Sequence, residues 1–252
     1  MDDVSDLAAL IDDAVAIMVV TGAGISTASG IPDFRGPNGV WKTQRPVEYE
    51  GFLRDPRRRR EYWRQKLASA DVLRDALPND VHFACVDLED AERLDTVVTQ
   101  NIDGLHSDAG ISSERLVEVH GTARLVGCLS CFERTFAGPH LERFAETDEP
   151  PVCHCGGILK PATISFGQAL DPMSMHRASA AAQRCDLVIA LGSTLGVFPV
   201  SEVPLVAAER GVPYAVVNMG ATAHDTTGLV SLRIDGDVSE IFPAAVSMAL
   251  AG

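Results

Sequence analysis

Four cysteines stand in two close pairs, Cys128-Leu129-Ser130-Cys131 and Cys153-His154-Cys155. Four thiolates complete a closed tetrahedral shell for zinc and leave no position for water, so such a site holds a module together rather than doing chemistry. The second pair is C-x-C instead of C-x2-C. This leaves open whether His154 replaces one cysteine, although the glycines that follow still supply a tight turn for the four-cysteine set. Cys85 and Cys185 stand alone and read as packing residues. A glycine run, Gly22-Ala23-Gly24-Ile25-Ser26-Thr27, ends an apolar stretch, and backbone amides in such a turn can approach a phosphate. It is an incomplete dinucleotide fingerprint, because Thr27 occupies the third glycine position. Just beyond, Asp33, Phe34, Arg35 and Trp41 lie on a Gly/Pro-rich loop that offers a ligand a carboxylate, aromatic faces and a guanidinium. Thr99-Gln100-Asn101-Ile102-Asp103-Gly104-Leu105-His106 ends a second apolar run and, taken alone, reads as an Asn/Asp-Gly turn. His120 ends a third, LVEVHG, and imidazole suits proton transfer near neutral pH.

These residues need a frame that brings strand ends together. AIMVVTGAG, LDTVVTQNIDG, CDLVIALGSTLG and VPYAVVNMG are short β-branched runs whose C-terminal ends carry Gly, Asn, Asp, Ser or Thr. Helical patterns fall at 5–15, 173–184, 201–210 and 239–250. Alternation of this kind predicts an α/β fold with a doubly wound, parallel, Rossmann-like sheet and ligands at the carboxyl ends of its strands. Two segments break the alternation. Residues 36–77 are rich in Arg and aromatics and look helical, and 125–161 hold the four cysteines without strong periodicity. They predict a smaller module, part helical and part zinc ribbon, inserted into a large domain made of 1–35, 78–124 and 162–252.

At this point the chain resembles the sirtuin family. GAGISTASGIPDFRG is similar to that family's leading signature over its full length, and TQNIDGLH, with the HG of His120-Gly121, follows in the same order. Lys160-Pro161 through Phe166-Gly167-Gln168 is similar to the family's K/R-P-x-x-x-x-F-G-E stretch, with Gln168 where Glu is common. Gly192-Ser193-Thr194-Leu195, with Val197 and Pro199, is similar to G-T/S-S-L-x-V-x-P. Asn218-Met219 and Asp237-Val238 match ribose- and adenine-contacting positions.

The resemblance implies an NAD-dependent protein lysine deacetylase that carries one structural zinc on Cys128, Cys131, Cys153 and Cys155. Gly22, Ala23, Gly24, Ser26, Thr27, Asp33, Phe34, Arg35, Trp41 and Gln100 would belong to the NAD site, as would Gly192, Ser193, Thr194, Asn218, Met219, Asp237 and Val238. Phe34, Ile102 and Asp103 would form the nicotinamide pocket. Asn101 would orient the ribose and a water, and His120 would take a proton from the ribose hydroxyls. Phe166, Gly167 and Val197 would line the acetyl-lysine peptide. Family members that prefer succinyl or malonyl groups carry Tyr-x-x-Arg after the first signature. Here Tyr62 is followed by Gln65, which implies a preference for acetyl. The alternatives are a protein ADP-ribosyltransferase or longer-chain deacylase on the same fold, a hydride-transferring oxidoreductase, and a non-catalytic NAD-sensing module.

The 252 residues carry 21 basic and 35 acidic side chains, a net charge of −14 that disfavours nucleic acid and anionic membranes as direct partners. No apolar run reaches the ~18 residues of a membrane span, and the acidic start MDDVSDLAALIDD is unlike a secretion signal. A cytoplasmic location is expected. Asp outnumbers Glu by 21 to 14 and there are only three lysines, Lys42, Lys66 and Lys160. An Asp-rich, Lys-poor surface stays soluble when salt screens charge, which fits a halophile, although a GC-rich genome also favours Arg over Lys.

Overall fold

The computed structural model describes residues 3–33, 39 and 45–251. Phe34, Arg35 and Trp41, expected in the NAD loop, lie outside the described residues.

The large sheet grows from the apolar runs read in the sequence. β1 (Ile17–Thr21), β2 (Leu94–Thr99), β3 (Leu116–Glu118), β7 (Leu187–Leu191), β8 (Tyr214–Val217) and β9 (Leu232–Ile234) pair in the order β3-β2-β1-β7-β8-β9. Every pairing in this sheet is parallel. β1 and β7 are buried at every position, as strands covered on both faces must be. One face packs against α1 (Asp3–Asp13), α4 (Asp80–Asp90) and α9 (Val238–Leu250), through Leu7, Ile11, Leu88 and Phe242. The other packs against α7 (Pro172–Arg184) and α8 (Glu202–Ala208), through Ala178, Ala182 and Val203. α1 begins at Asp3 rather than Ser5, because Asp3 and Asp6 place negative charge in its first turn, where the helix dipole favours it. The Gly22–Ser29 region forms no α-helix. Ala23–Ser29 is a 3-10 helix stopped by Gly30.

A second sheet is antiparallel, with β4 (Gly121–Cys128) between β5 (Arg134–Phe136) and β6 (Leu159–Thr163). α2 (Tyr49–Arg54), α3 (Pro56–Asp75) and α6 (Ala137–Thr147) pack with it around Phe52, Tyr62, Trp63, Val126 and Phe144, a core separate from both faces of the large sheet. α3 starts on an Asp55 cap with Pro56 in its first turn. A short α5 (Leu105–Ala109) links β2 to β3. Among the described residues, no helix is long and apolar enough to cross a membrane.

Candidate functional site

The carboxyl ends of β1, β2, β7 and β8 open into a cavity of about 1080 Å³ that reaches across to α3 and the loop after β6. Every described residue expected to touch NAD or peptide lines it, from Gly22 and Asp33 through Asn101 and His120 to Phe166, Val197, Asn218 and Asp237. Tyr62, Lys66, Thr163 and Ser165 line it as well.

The floor is made by two loops in backbone contact. Gly22 N donates to Leu191 O at 3.0 Å and Gly24 N to Gly192 O at 2.9 Å. Gly192 has φ 58, and a Cβ there would lie 2.6 Å from Ile25 N. Only glycine meets both demands, the left-handed backbone and the missing side chain. Thr27 fills the third glycine position without conflict, its hydroxyl donating to Gly24 O at 2.9 Å.

Polar groups at the end of β2 are held in one chain of hydrogen bonds. Thr21 Oγ1 donates to Thr99 Oγ1 at 2.8 Å, and Asn101 N donates to the same oxygen at 3.0 Å. The Asn101 amide donates to Gly22 O at 3.2 Å and Ser26 Oγ at 3.1 Å. Both its protons are thereby engaged, which leaves Oδ1 as the atom it can offer a ligand. Ser26 Oγ donates to Asp103 Oδ2 at 2.8 Å, and Leu105 N donates to Asp103 Oδ1 at 2.9 Å. Asn101 and Asp103 are buried.

His120 stands between β3 and β4. A carbonyl can only accept, so its 3.0 Å contact with Gln100 O puts the proton on Nδ1 and the lone pair on Nε2. Burial pushes this imidazole below the ordinary histidine range, against the opposing pull of the Gln100 carbonyl. Gln100 in turn donates from Nε2 to Ser193 Oγ at 3.0 Å. At the far end, the Asn218 amide turns back on Met219 O and Gly220 O, while Asp237 caps α9 through Ser239 N at 2.8 Å. Gln168 spends its Oε1 on Ser165 N at 3.2 Å. A glutamate would make the same contact, so no charge is required there.

Two histidines behind Asp103 were not singled out from the sequence. His106 Nε2 lies 3.1 Å from Thr21 Oγ1, and its ring meets that of His82 edge-on, with centroids 4.9 Å apart. Burial pushes His106 down to about 3, and His82 adds to the effect. The available sign was weak: Asn79-x-x-His82 is a capping box in which His stands where Glu or Gln is usual. On the opposite wall burial pushes the Tyr62 phenol up, but the Lys66 and Lys160 ammonium groups, with hydrogen bonds to Ser165 and Thr163, together bring it down to about 8.

The four thiols of the small module lie within 4.8 Å of one another. Cys128 and Cys155 sulfurs are 3.5 Å apart, and those of Cys131 and Cys153 are 3.7 Å apart. A tetrahedron with Zn–S bonds of ~2.3 Å requires sulfurs about 3.8 Å apart, so the quartet fits zinc. Cys128 Sγ also accepts from Ser130 N at 3.4 Å, as a thiolate ligand would. His154 stands at the rim of the quartet, its side chain 76% exposed and its Nδ1 3.2 Å from Glu133 Oε2 and 3.7 Å from Cys153 Sγ.

An open parallel sheet with a dinucleotide-sized cleft at its strand ends, and a four-thiol module beside it, defines an α/β dinucleotide-binding protein with a structural zinc ribbon. The Sir2 family model matches residues 22–199. The chain is 42% identical over 214 residues to NAD-dependent protein deacetylase 2 of Streptomyces coelicolor, covering 83% of this chain and 88% of that one. It is 39% identical over 255 residues to the NAD-dependent protein deacetylase of Haloarcula marismortui, covering 98% and 93%. A Sir2–p53 peptide–NAD+ complex superposes with a TM-score of 0.88 at 29% identity over 100% of both chains. A Sir2 complex with deacetylated p53 peptide and 3′-O-acetyl-ADP-ribose gives 0.88 at 30% identity over 98% of both. The chain belongs to the Sir2 family.

Proposed function

We propose that this protein is an NAD-dependent lysine deacetylase acting on acetylated proteins or peptides. The observation that carries the reading is the convergence, on one cavity wall, of the Asn101–Ser26–Asp103 chain and an imidazole whose Nε2 holds a lone pair. NAD, when bound, supplies nicotinamide as the leaving group and ADP-ribose as the acetyl acceptor. Asp103, its carboxylate fixed by Ser26 and Leu105 N, accepts from the carboxamide. Asn101 offers Oδ1 to a ribose hydroxyl or a water. His120, neutral at pH 7 because burial disfavours its cation, takes a proton from the ribose hydroxyls at Nε2. Phe166, Gly167 and Val197 line the acyl-lysine side, and Ala23, Gly24 and Thr27 stand near the phosphates. A cation-like transition state needs positioning and exclusion of water more than strong acid catalysis, which suits a buried, prearranged polar chain.

One zinc per chain, on Cys128, Cys131, Cys153 and Cys155, belongs to the same reading. So does the division into a large domain of 1–35, 78–124 and 162–252 and a small one of 36–77 and 125–161, supported by the separate core around Trp63 and Phe144. A cytoplasmic location is supported by thiols kept reduced for metal.

The test is mass spectrometry of an acetyl-lysine peptide incubated with the protein, with and without NAD. Loss of acetyl together with O-acetyl-ADP-ribose is expected. ADP-ribose attached to protein would make it an ADP-ribosyltransferase, and NAD binding without nicotinamide release would make it a sensing module.

A further inference from the structure

β4 begins one residue after His120, ends on Cys128, and on the way grips the turn that carries Ile102 and Asp103. Ala123 N donates to Ile102 O at 2.8 Å. Arg124 Nε donates to Asp103 O at 3.0 Å, and its two terminal nitrogens fork onto both carboxylate oxygens of Asp108, with Nη1 2.7 Å from Oδ1. The guanidinium lies against Gly104, where φ is 78 and a Cβ would come within 2.2 Å of Nε. Glycine at 104 thus serves the arginine as well as the turn. The same cation acts on Glu118, whose carboxyl burial and Asp103 raise to about 6 against the pull of Arg124. One guanidinium serves two carboxylates, pairing with that of Asp108 and attracting that of Glu118.

We propose that Arg124 is a positioning residue for the nicotinamide end of the site. By pinning the backbone of residues 102–104 it sets where Ile102 and the Asp103 carboxylate stand, and so how tightly nicotinamide is held. The proposal rests on the deacetylase reading for its ligand. Arg124 and Asp108 keep 43% and 36% of their side chains exposed, so their ion pair contributes little to global stability. Asp103 is held on its side-chain oxygens by Ser26 and Leu105 N independently of Arg124. Losing the guanidinium therefore frees the backbone of the turn and leaves Asp108 and Glu118 without their common cation, while the fold and the zinc ligands remain.

The experiment compares the parent with Arg124→Ala and Arg124→Lys. Lysine keeps a charge for Asp108 but has no planar fork to reach Asp103 O at the same time. Expected for Arg124→Ala is an about tenfold weaker nicotinamide inhibition and exchange, the scale of one lost charged hydrogen bond. The KM for acetyl-peptide, the zinc content and the melting temperature should stay near those of the parent. Arg124→Lys should match the parent in melting temperature yet share the nicotinamide defect. An unchanged nicotinamide constant in Arg124→Ala would overturn the proposal, and so would a uniform loss of every parameter together with the melting temperature. Saturation-transfer NMR with free nicotinamide keeps the two readings apart. If the parent released no nicotinamide from NAD, the deacetylase reading would fall, while a parent–variant difference in direct binding would still uphold the positioning role and equal binding would end it.

Discussion

Replacing Gly192 by alanine tests the glycine-on-glycine floor of the cavity. At φ 58 an L-residue costs ~1–2 kcal/mol. The new methyl would also lie 2.6 Å from Ile25 N and 2.8 Å from Gly24 C, both backbone atoms that cannot rotate away. Restoring ordinary contact requires the Gly24–Ile25 backbone to retreat by roughly 0.8 Å, and overpacking of this kind adds about 1–3 kcal/mol. The destabilisation should total about 3 kcal/mol, or roughly 10 °C in Tm for a chain of this size. The same retreat moves the Ala23–Thr27 turn proposed to stand near the phosphates, and misplacement on the order of 1 Å costs about 10²-fold in function. Calorimetric titration with NAD and scanning calorimetry read the two effects. Gly211→Ala is the control, because Gly211 also has a positive φ, 85, but no atom lies within 4 Å of its would-be Cβ. It should lose stability and keep NAD affinity. If Gly192→Ala bound NAD like the parent and melted with the control, the close-contact argument would be wrong.

His120→Ala should cut deacetylation by ~10²–10⁴-fold while leaving more of the nicotinamide exchange, which precedes its step. Because the neutral imidazole is the active form and burial lowers its pKa, activity should be full at pH 7 and fall only as pH drops below the ordinary histidine value of ~6.5; an acid limb at or above that value in a kcat/KM profile refutes this. Metal analysis should find one zinc per chain, lost in Cys155→Ser and kept in His154→Ala, and the opposite pattern would hand the fourth position to His154. Tm should rise as salt is raised toward molar, since most ion pairs here are exposed and weak while the net charge of −14 is widely shared; a steady fall would remove the halophile reading. Acetyl-peptide should turn over faster than succinyl-peptide, because Gln65 is engaged with Arg45 O at 3.0 Å; the reverse order would give the acyl carboxylate to Lys66, 5.3 Å from the Tyr62 ring.

Much of this was legible in the sequence because the strands that build the site are buried on both faces and so read as uninterrupted apolar runs. β1, β2, β7 and β8 announced themselves that way, and the residues at their ends inherited a common location. β9 was missed because Leu232–Ile234 is short, flanked by polar residues and only half-buried at two of its three positions. The antiparallel β4–β5–β6 sheet was legible only as an irregular zinc-ribbon module, without its strands, for another reason. β5 is exposed throughout, and β6 contains Pro161, so neither has the alternation that identifies a strand. Local pattern also cannot show His82 beside His106, or Arg124 over Gly104, because those neighbours meet only once separate elements pack. The 3-10 helix at Ala23–Ser29 is a further case, its course set by backbone contact with Gly192, far along the chain.

The placement of β1 governs how the protein is assembled during synthesis. Its five residues pair with β2 on one side and, from Ile17 to Leu187, with β7 on the other. The core beneath it joins Leu7 and Ile11 of α1 to Phe242 and Val246 of α9. The small sheet, by contrast, is closed by partners lying between Gly121 and Thr163. On the ribosome the zinc ribbon can therefore form while the large domain is still open. Throughout that interval β1 offers nascent-chain neighbours an apolar strand edge, because β7 and the sealing helix α9 both follow the zinc ribbon in the chain. Non-local closure of this kind slows folding, and it leaves the half-made strand edge, rather than the metal module, as the surface most open to misassembly.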